Sequence, residues 1–240
     1  MNQPHPVVKK LPQAILFDYD GVLVASEPIH GMAWTQLLLS LGLPQDTEIL
    51  NKNIGKTAPQ TLKDLLDRHR PGWNPKEVDL EALARKKNDF YLEFCKTRLN
   101  PYPGVRSGIQ WLQSQGIQRA IVSNSKRREL HTTLEQLNLI SAFDLIVSRD
   151  DVGKSKPDPT PYAFALSQLK LAPEQCIALE DSPSGLSACL RAGIPSVGIL
   201  SSFSYSELKQ PVADQAELEP FRIEKSMEDF FQWLRQLPPN

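Results

Sequence analysis

Apolar residues follow two different rhythms along this chain, and the switch between them divides it. Ala14-Ile15-Leu16-Phe17 is a short unbroken apolar run, which predicts a strand buried on both faces. From Pro28 to Leu41 the apolar positions Ile29, Ala33, Leu37 and Leu41 fall at helical spacing, and Gly42 stops the pattern. Thr57–Arg70, with Leu62, Leu65 and Leu66 inward, predicts a second helix. A third runs from about Lys76 to Leu99 with Leu80, Leu83, Phe90, Tyr91 and Phe94. No convincing strand lies among them, so residues 28–103 read as a small three-helix domain that ends at the Asn100-Pro101-Tyr102-Pro103-Gly104 break.

Beyond that break, helices and short apolar strands alternate. Helices are predicted over Val105–Gln115, Arg127–Leu137, Thr160–Leu169 and Ser184–Arg191, with a closing amphipathic helix over Met227–Leu237. Strands are predicted over Gln118–Ser123, Phe143–Ser148, Cys176–Glu180 and Ser196–Leu200. This alternation demands an α/β fold, a Rossmann-like parallel sheet covered on both faces and joined by right-handed crossovers. Residues 1–27 and 104–240 then form the core, and the helical domain is an insertion after the first strand.

Composition narrows the function classes. A chain of 240 residues suits one domain with an insertion, or two domains. With 27 basic and 28 acidic residues, its charge gives no case for nucleic acid or a membrane surface. Asp18 and Asp20 interrupt the first apolar segment before a signal or membrane span can form, so Met1–Gln13 reads as a short flexible lead-in. Cys95, Cys176 and Cys189 have no zinc-like spacing, and the expectation is buried free thiols in a reducing cytoplasm.

The first strand ends in two carboxylates, Asp18 and Asp20, followed by Gly21. Isolated carboxylates are costly beside a core, so a hard cation such as Mg²⁺, with phosphate oxygens as further ligands, is their natural partner. An EF-hand is excluded, because Val22 and Leu23 stand where oxygen ligands are needed. In a parallel sheet ligands bind at the carboxyl ends of the strands. Those ends also carry Ser123-Asn124-Ser125, Lys156 in the segment KPDP, and Glu180-Asp181. Each motif alone has a plainer reading: the serines and acids as helix caps, Lys156 as a solvated loop lysine. Ser148–Ser155 (SRDDVGKS) nearly matches a phosphate loop, but Ser148 replaces the first glycine and Asp150 and Asp151 repel phosphate.

Taken together, DYDGVLVASEPIH, VSNS, KSKPDP and LEDSPSGLSACLRAG resemble the haloacid dehalogenase superfamily, in its branch with a helical cap after the first strand. That branch includes beta-phosphoglucomutase and many small-molecule phosphatases. The resemblance spans about Ala14 to Leu200 and implies Asp18 as nucleophile and Asp20 as general acid and base. It implies that Ser123 bonds the phosphoryl group, with Gly21, Asn124 and Ser125 beside it, and that Lys156 neutralises its charge and holds the nucleophile. Mg²⁺ would take Asp18, the Asp20 carbonyl and Asp181, with Glu180 as an alternative or supporting acid. In the cap, Lys56, Lys87 and His30 resemble substrate-side residues of the sugar phosphomutases, Lys56 standing where relatives commonly carry arginine. Ala25 departs from the aspartate usual in this branch. The implied function is a Mg²⁺-dependent phosphatase of a small phosphorylated metabolite such as a sugar phosphate. The alternatives are a phosphosugar mutase and a non-catalytic binding protein on the same scaffold.

Overall fold

The computed structural model describes residues 8–53, 57–209 and 220–239. Its residues divide into two compact units, Met1–Ala25 with Asn100–Asn240, and Ser26–Leu99. These boundaries fall just before the breaks at residues 27 and 103 that the sequence predicts. Lys56 and most of the predicted lead-in lie outside the described residues.

The unit Ser26–Leu99 is helical: α1 (Glu27–Ser40), α2 (Thr47–Lys52), α3 (Ala58–His69) and α4 (Leu80–Arg98). Its interior holds Leu37, Leu62 and Ala84 in one cluster and Leu38, Leu43, Ile49, Leu65 and Leu66 in another. The three-helix expectation is corrected by α2. Six residues with a single buried side chain, Ile49, give no period to read. What starts α2 is local: the Asp46 carboxylate accepts from the Ile49 amide at 3.0 Å, an N-cap. The long third helix also starts later than residue 76, where the Asp79 side chain caps the Ala82 amide.

The other unit is built on one parallel sheet of β1 (Ala14–Phe17), β2 (Gln118–Val122), β3 (Leu145–Val147), β4 (Cys176–Glu180), β5 (Ser196–Ile199) and β6 (Arg222–Glu224). Their order in space is β3-β2-β1-β4-β5-β6, every neighbouring pair parallel. The connecting helices are α5 (Val105–Ser114), α6 (Arg127–Gln136), α7 (Arg149–Val152), α8 (Thr160–Leu169), α9 (Pro183–Arg191), α10 (Tyr205–Leu208) and α11 (Met227–Leu234). β6, α7 and α10 have three or four residues each and went unpredicted, being shorter than any readable period.

Two features of the sheet position the polar residues at its carboxyl edge. The chain leaves β1 for β2 and β3 on one side and returns to β4 on the other, which puts the topological switch point between β1 and β4. Alternation does the rest: Ala14 and Leu16 of β1, Ala120 and Val122 of β2, and Cys176 and Ala178 of β4 pack with Tyr162 and Ala165 of α8 and Leu186 and Cys189 of α9. Continuing that parity by one step brings Asp18 and Glu180 onto the face covered by α8 and α9. All three cysteines are buried.

Candidate active site

Parallel register brings the strand ends to one level. Phe17 pairs with Leu179 and Ile121, so Asp18, Val122 and Glu180 follow side by side, and the Asp18 amide donates to the Leu179 carbonyl at 2.9 Å. Lys156, from the segment before α8, reaches into this row with a side chain only 3% exposed. Its ammonium meets Asp18 Oδ1 at 2.8 Å, Glu180 Oε1 at 2.6 Å and the Val122 carbonyl at 2.7 Å. An ammonium has three protons, so all are committed. Lys156 thus straps β1, β2 and β4 together at the switch point.

Its loop is fixed in turn by Asn124, expected on the substrate side. The Asn124 amide grips the Lys156 backbone, Oδ1 accepting from its N–H at 2.9 Å and Nδ2 donating to its carbonyl at 3.5 Å. Ser125, also expected on the substrate side, donates its hydroxyl to Asp20 Oδ2 at 2.8 Å. Ser123 is buried, and its Oγ accepts from the Ser125 amide at 3.0 Å. The turn after β2 therefore carries three short polar side chains with distinct partners, and none of them caps α6, whose N-cap is Lys126.

On the β1 side the chain turns sharply at Gly21, where φ is +77°. A Cβ at this position would lie 1.8 Å from Asp181 Oδ2, so both conformation and space demand glycine. Ser201, just beyond β5, donates to the Gly21 carbonyl at 2.6 Å and approaches Asp181 Oδ2 at 3.3 Å, tying the turn to Asp181. Tyr19 turns away from the site and donates to Thr133 Oγ1 of α6 at 2.6 Å. Glu180 and Asp181 do not cap α9; the Ser182 hydroxyl does, accepting from the Gly185 amide at 3.1 Å. Ser201 and Tyr162, which donates to Glu180 Oε1 at 2.6 Å, were not singled out in the sequence.

Asp18 and Lys156 are set against each other by burial and by the neighbouring carboxylates. Burial pushes the Asp18 carboxyl up, Lys156 pulls it down, and Glu180, Asp181 and Asp20 push it up again. Burial lowers the affinity of Lys156 for its proton, but Asp18 and Glu180 more than restore it, so the net direction is upward. A buried group of carboxylates of this kind favours a cation beside it. One oxygen from each of Asp18, Glu180 and Asp181 lies within 4.8 Å of the others. An all-oxygen donor set of this kind suits a hard divalent ion. Glu180 Oε1 already accepts from Lys156 and Tyr162, while Oε2 has no hydrogen-bond partner among the described residues and lies 1.8 Å from where a Gly185 Cβ would stand.

Ser148–Ser155 is no anion cradle. Asp151 Oδ2 takes both the Ser148 amide at 2.8 Å and the Ser148 hydroxyl at 2.5 Å, and Asp150 accepts from the Arg127 amide at 2.8 Å. In the helical unit, Lys87 is buried with Nζ 2.7 Å from His30 Nδ1, between the rings of Trp34 and Tyr91. His30 stacks on Tyr91 at 4.0 Å.

Comparison with known proteins places the chain in a family. A profile for haloacid dehalogenase-like hydrolases matches residues 15–199. The chain belongs to the haloacid dehalogenase-like hydrolase family. It is 30% identical over 193 residues to a phosphorylated carbohydrates phosphatase of Thermotoga maritima, covering 80% of this chain and 87% of that one. A phosphoglycolate phosphatase of Nitrosococcus oceani is 30% identical over 198 residues, with 82% and 87% covered. Among solved structures, beta-phosphoglucomutase of Clostridium difficile superposes with a TM-score of 0.75 over 94% of this chain and 96% of that chain, at 24% identity, a likeness of fold. No helix of the described residues is long and apolar enough to cross a membrane.

Proposed function

We propose that the protein is a Mg²⁺-dependent phosphatase that cleaves phosphomonoesters of small metabolites through an aspartyl phosphate on Asp18. The observation that carries this reading is the Asp18 environment: a buried carboxylate strapped by Lys156, beside Glu180 and Asp181, at the switch point of the sheet. The names of the relatives, phosphatases of phosphorylated carbohydrates and of phosphoglycolate, point to the same substrate class.

Asp18 and Asp181, with the Asp20 carbonyl, are the residues to hold Mg²⁺, and Glu180 supports them. The ion supplies charge neutralisation for the phosphoryl oxygens. The Asp18 carboxylate attacks phosphorus in line, forming an oxygen–phosphorus bond as the ester oxygen–phosphorus bond breaks. Asp20 donates its proton to the departing oxygen, then takes one from the water that hydrolyses the acyl phosphate, releasing inorganic phosphate. Ser125 orients Asp20 for both transfers, and Ser123 is assigned the bond to a phosphoryl oxygen. Lys156, with its protons committed, holds Asp18 and offsets charge through space rather than by a direct donor. Lys56, Lys87 and His30 are assigned to substrate selection.

A panel of sugar phosphates, phosphoglycolate and related monoesters, assayed with Mg²⁺ and with chelator, tests this. We expect free phosphate from at least one of them, lost on chelation and restored by Mg²⁺. The mutase reading, which the Lys87–His30 pair keeps in play, is tested with beta-glucose 1-phosphate and a trace of its bisphosphate. Isomerised hexose phosphate without phosphate release would replace the phosphatase assignment.

A further inference from the structure

We propose that Tyr162 is a positioning residue of the reaction, its hydroxyl fixing Glu180 and its ring bearing on Lys156 so that the Lys156–Asp18 contact is held from the α8 side. The inference rests on the reading of Asp18 as nucleophile and adds a residue to the machinery that sets it.

Tyr162 lies in the first turn of α8, six residues after Lys156, and is fully buried. Its position is dictated by the packing of α8 on β2 and β3, and it shares a core cluster with Leu16, Val122 and Ala178. A phenol ring there satisfies the apolar packing; the hydroxyl is surplus to it. A buried hydroxyl needs a partner, and this one meets Glu180 Oε1 at 2.6 Å, the oxygen that also accepts from Lys156 at 2.6 Å. Lys156 Nζ lies 5.2 Å from the centroid of the same ring. One residue therefore touches both members of the Lys156–Glu180 pair, the cation through the negative ring face and the anion through the hydroxyl proton.

Freedom on the far side of Glu180 is removed by Gly185. A Cβ at Gly185 would stand 1.8 Å from Oε2 and 2.3 Å from Oε1, so the first turn of α9 lies directly against the carboxylate. Glu180 is thus held between a helix turn and a phenol, and Lys156 between two carboxylates and a carbonyl. Removing the hydroxyl leaves Glu180 Oε1 one donor short, and the ammonium that shares this oxygen is held less firmly. Asp18 would then lose its fixed partner while the surfaces facing solvent stay as they are.

Tyr162→Phe deletes the hydroxyl and keeps the ring. Two readouts are taken on it, steady-state kinetics with the best substrate of the panel, and exchange of the Lys156 ammonium protons with solvent by nitrogen–proton NMR. The expected result is a kcat at least about tenfold lower with KM changed less than about twofold, the pattern of a lost supporting contact, together with faster ammonium exchange. A kcat or an exchange rate at the wild-type value overturns the proposal. Tyr162→Met, which fills the space without ring or hydroxyl, is the second variant, and a larger kcat loss at constant KM is expected. A rise of KM in step with the fall of kcat overturns the proposal. Because ammonium exchange needs no substrate, a wild type inactive on the whole panel would count against the phosphatase reading, whereas unchanged exchange in Tyr162→Phe counts against Tyr162.

Discussion

Replacing Lys156 by methionine is expected to cost the protein about 3–5 kcal/mol of stability and to lower kcat at least about a thousandfold. The size follows from what the ammonium touches. Glu180 is fully buried and Asp18 nearly so, and with Lys156 gone both carboxyls stand in a low-dielectric interior without the ammonium that met them. The Val122 carbonyl also loses its donor. Denaturant unfolding in the presence of chelator measures the loss. Adding Asp18→Asn to Lys156→Met should return part of it, because one of the two stranded charges is removed. An Asp18→Asn effect on stability that is the same with Lys156 present and with methionine in its place would show that the Lys156–Asp18 contact contributes nothing to the fold.

Asp18→Asn alone is expected to separate stability from activity. Turnover should fall at least about a thousandfold, since an amide is no nucleophile and cannot carry the acyl phosphate. Stability in chelator should rise instead. Burial, with Glu180, Asp181 and Asp20 nearby, raises the Asp18 carboxyl in the folded protein above its unfolded value of about 4. A carboxyl raised by folding binds its proton more tightly in the native state, so metal-free stability falls as pH climbs from the unfolded value toward the folded one. Asparagine does not ionise and removes that loss. Thermal unfolding in chelator, from mildly acid to neutral pH, should show the variant gaining on the wild type as pH rises. A variant less stable than wild type at neutral pH would contradict this electrostatic account.

Much of the core and its strand-end residues was legible from a simple pattern: charges placed where unbroken apolar runs stop. AILF before Asp18 and CIAL before Glu180 read as buried strands because every position is apolar, and the structure buries each of them fully or nearly so. Parallel alternation then put the acids, the lysine and the serines at one edge, as the order of the motifs predicts. What the sequence hid depends on contacts between distant segments. Tyr162 looks like an ordinary aromatic position in TPYAFALSQL, and nothing local tells that its hydroxyl reaches Glu180. Asn124 reads as one more polar residue in a loop, although its amide is spent on the backbone of Lys156. Ser201 follows a strand as many serines do, and only the fold brings it to Gly21 and Asp181. Short elements such as α2 and β6 were hidden for a different reason. Their stability comes from a cap or from pairing with β5, which leaves no hydrophobic period behind.

The central claim is that Asp18 becomes phosphorylated during turnover. Acid quenching of the wild type while it consumes radiolabelled substrate in Mg²⁺, followed by peptide mapping, tests it most directly. We predict a label on the peptide carrying Asp18, absent with chelator and absent in Asp18→Asn. Sustained phosphate release with no label on Asp18, or with the label on another residue, would contradict the account.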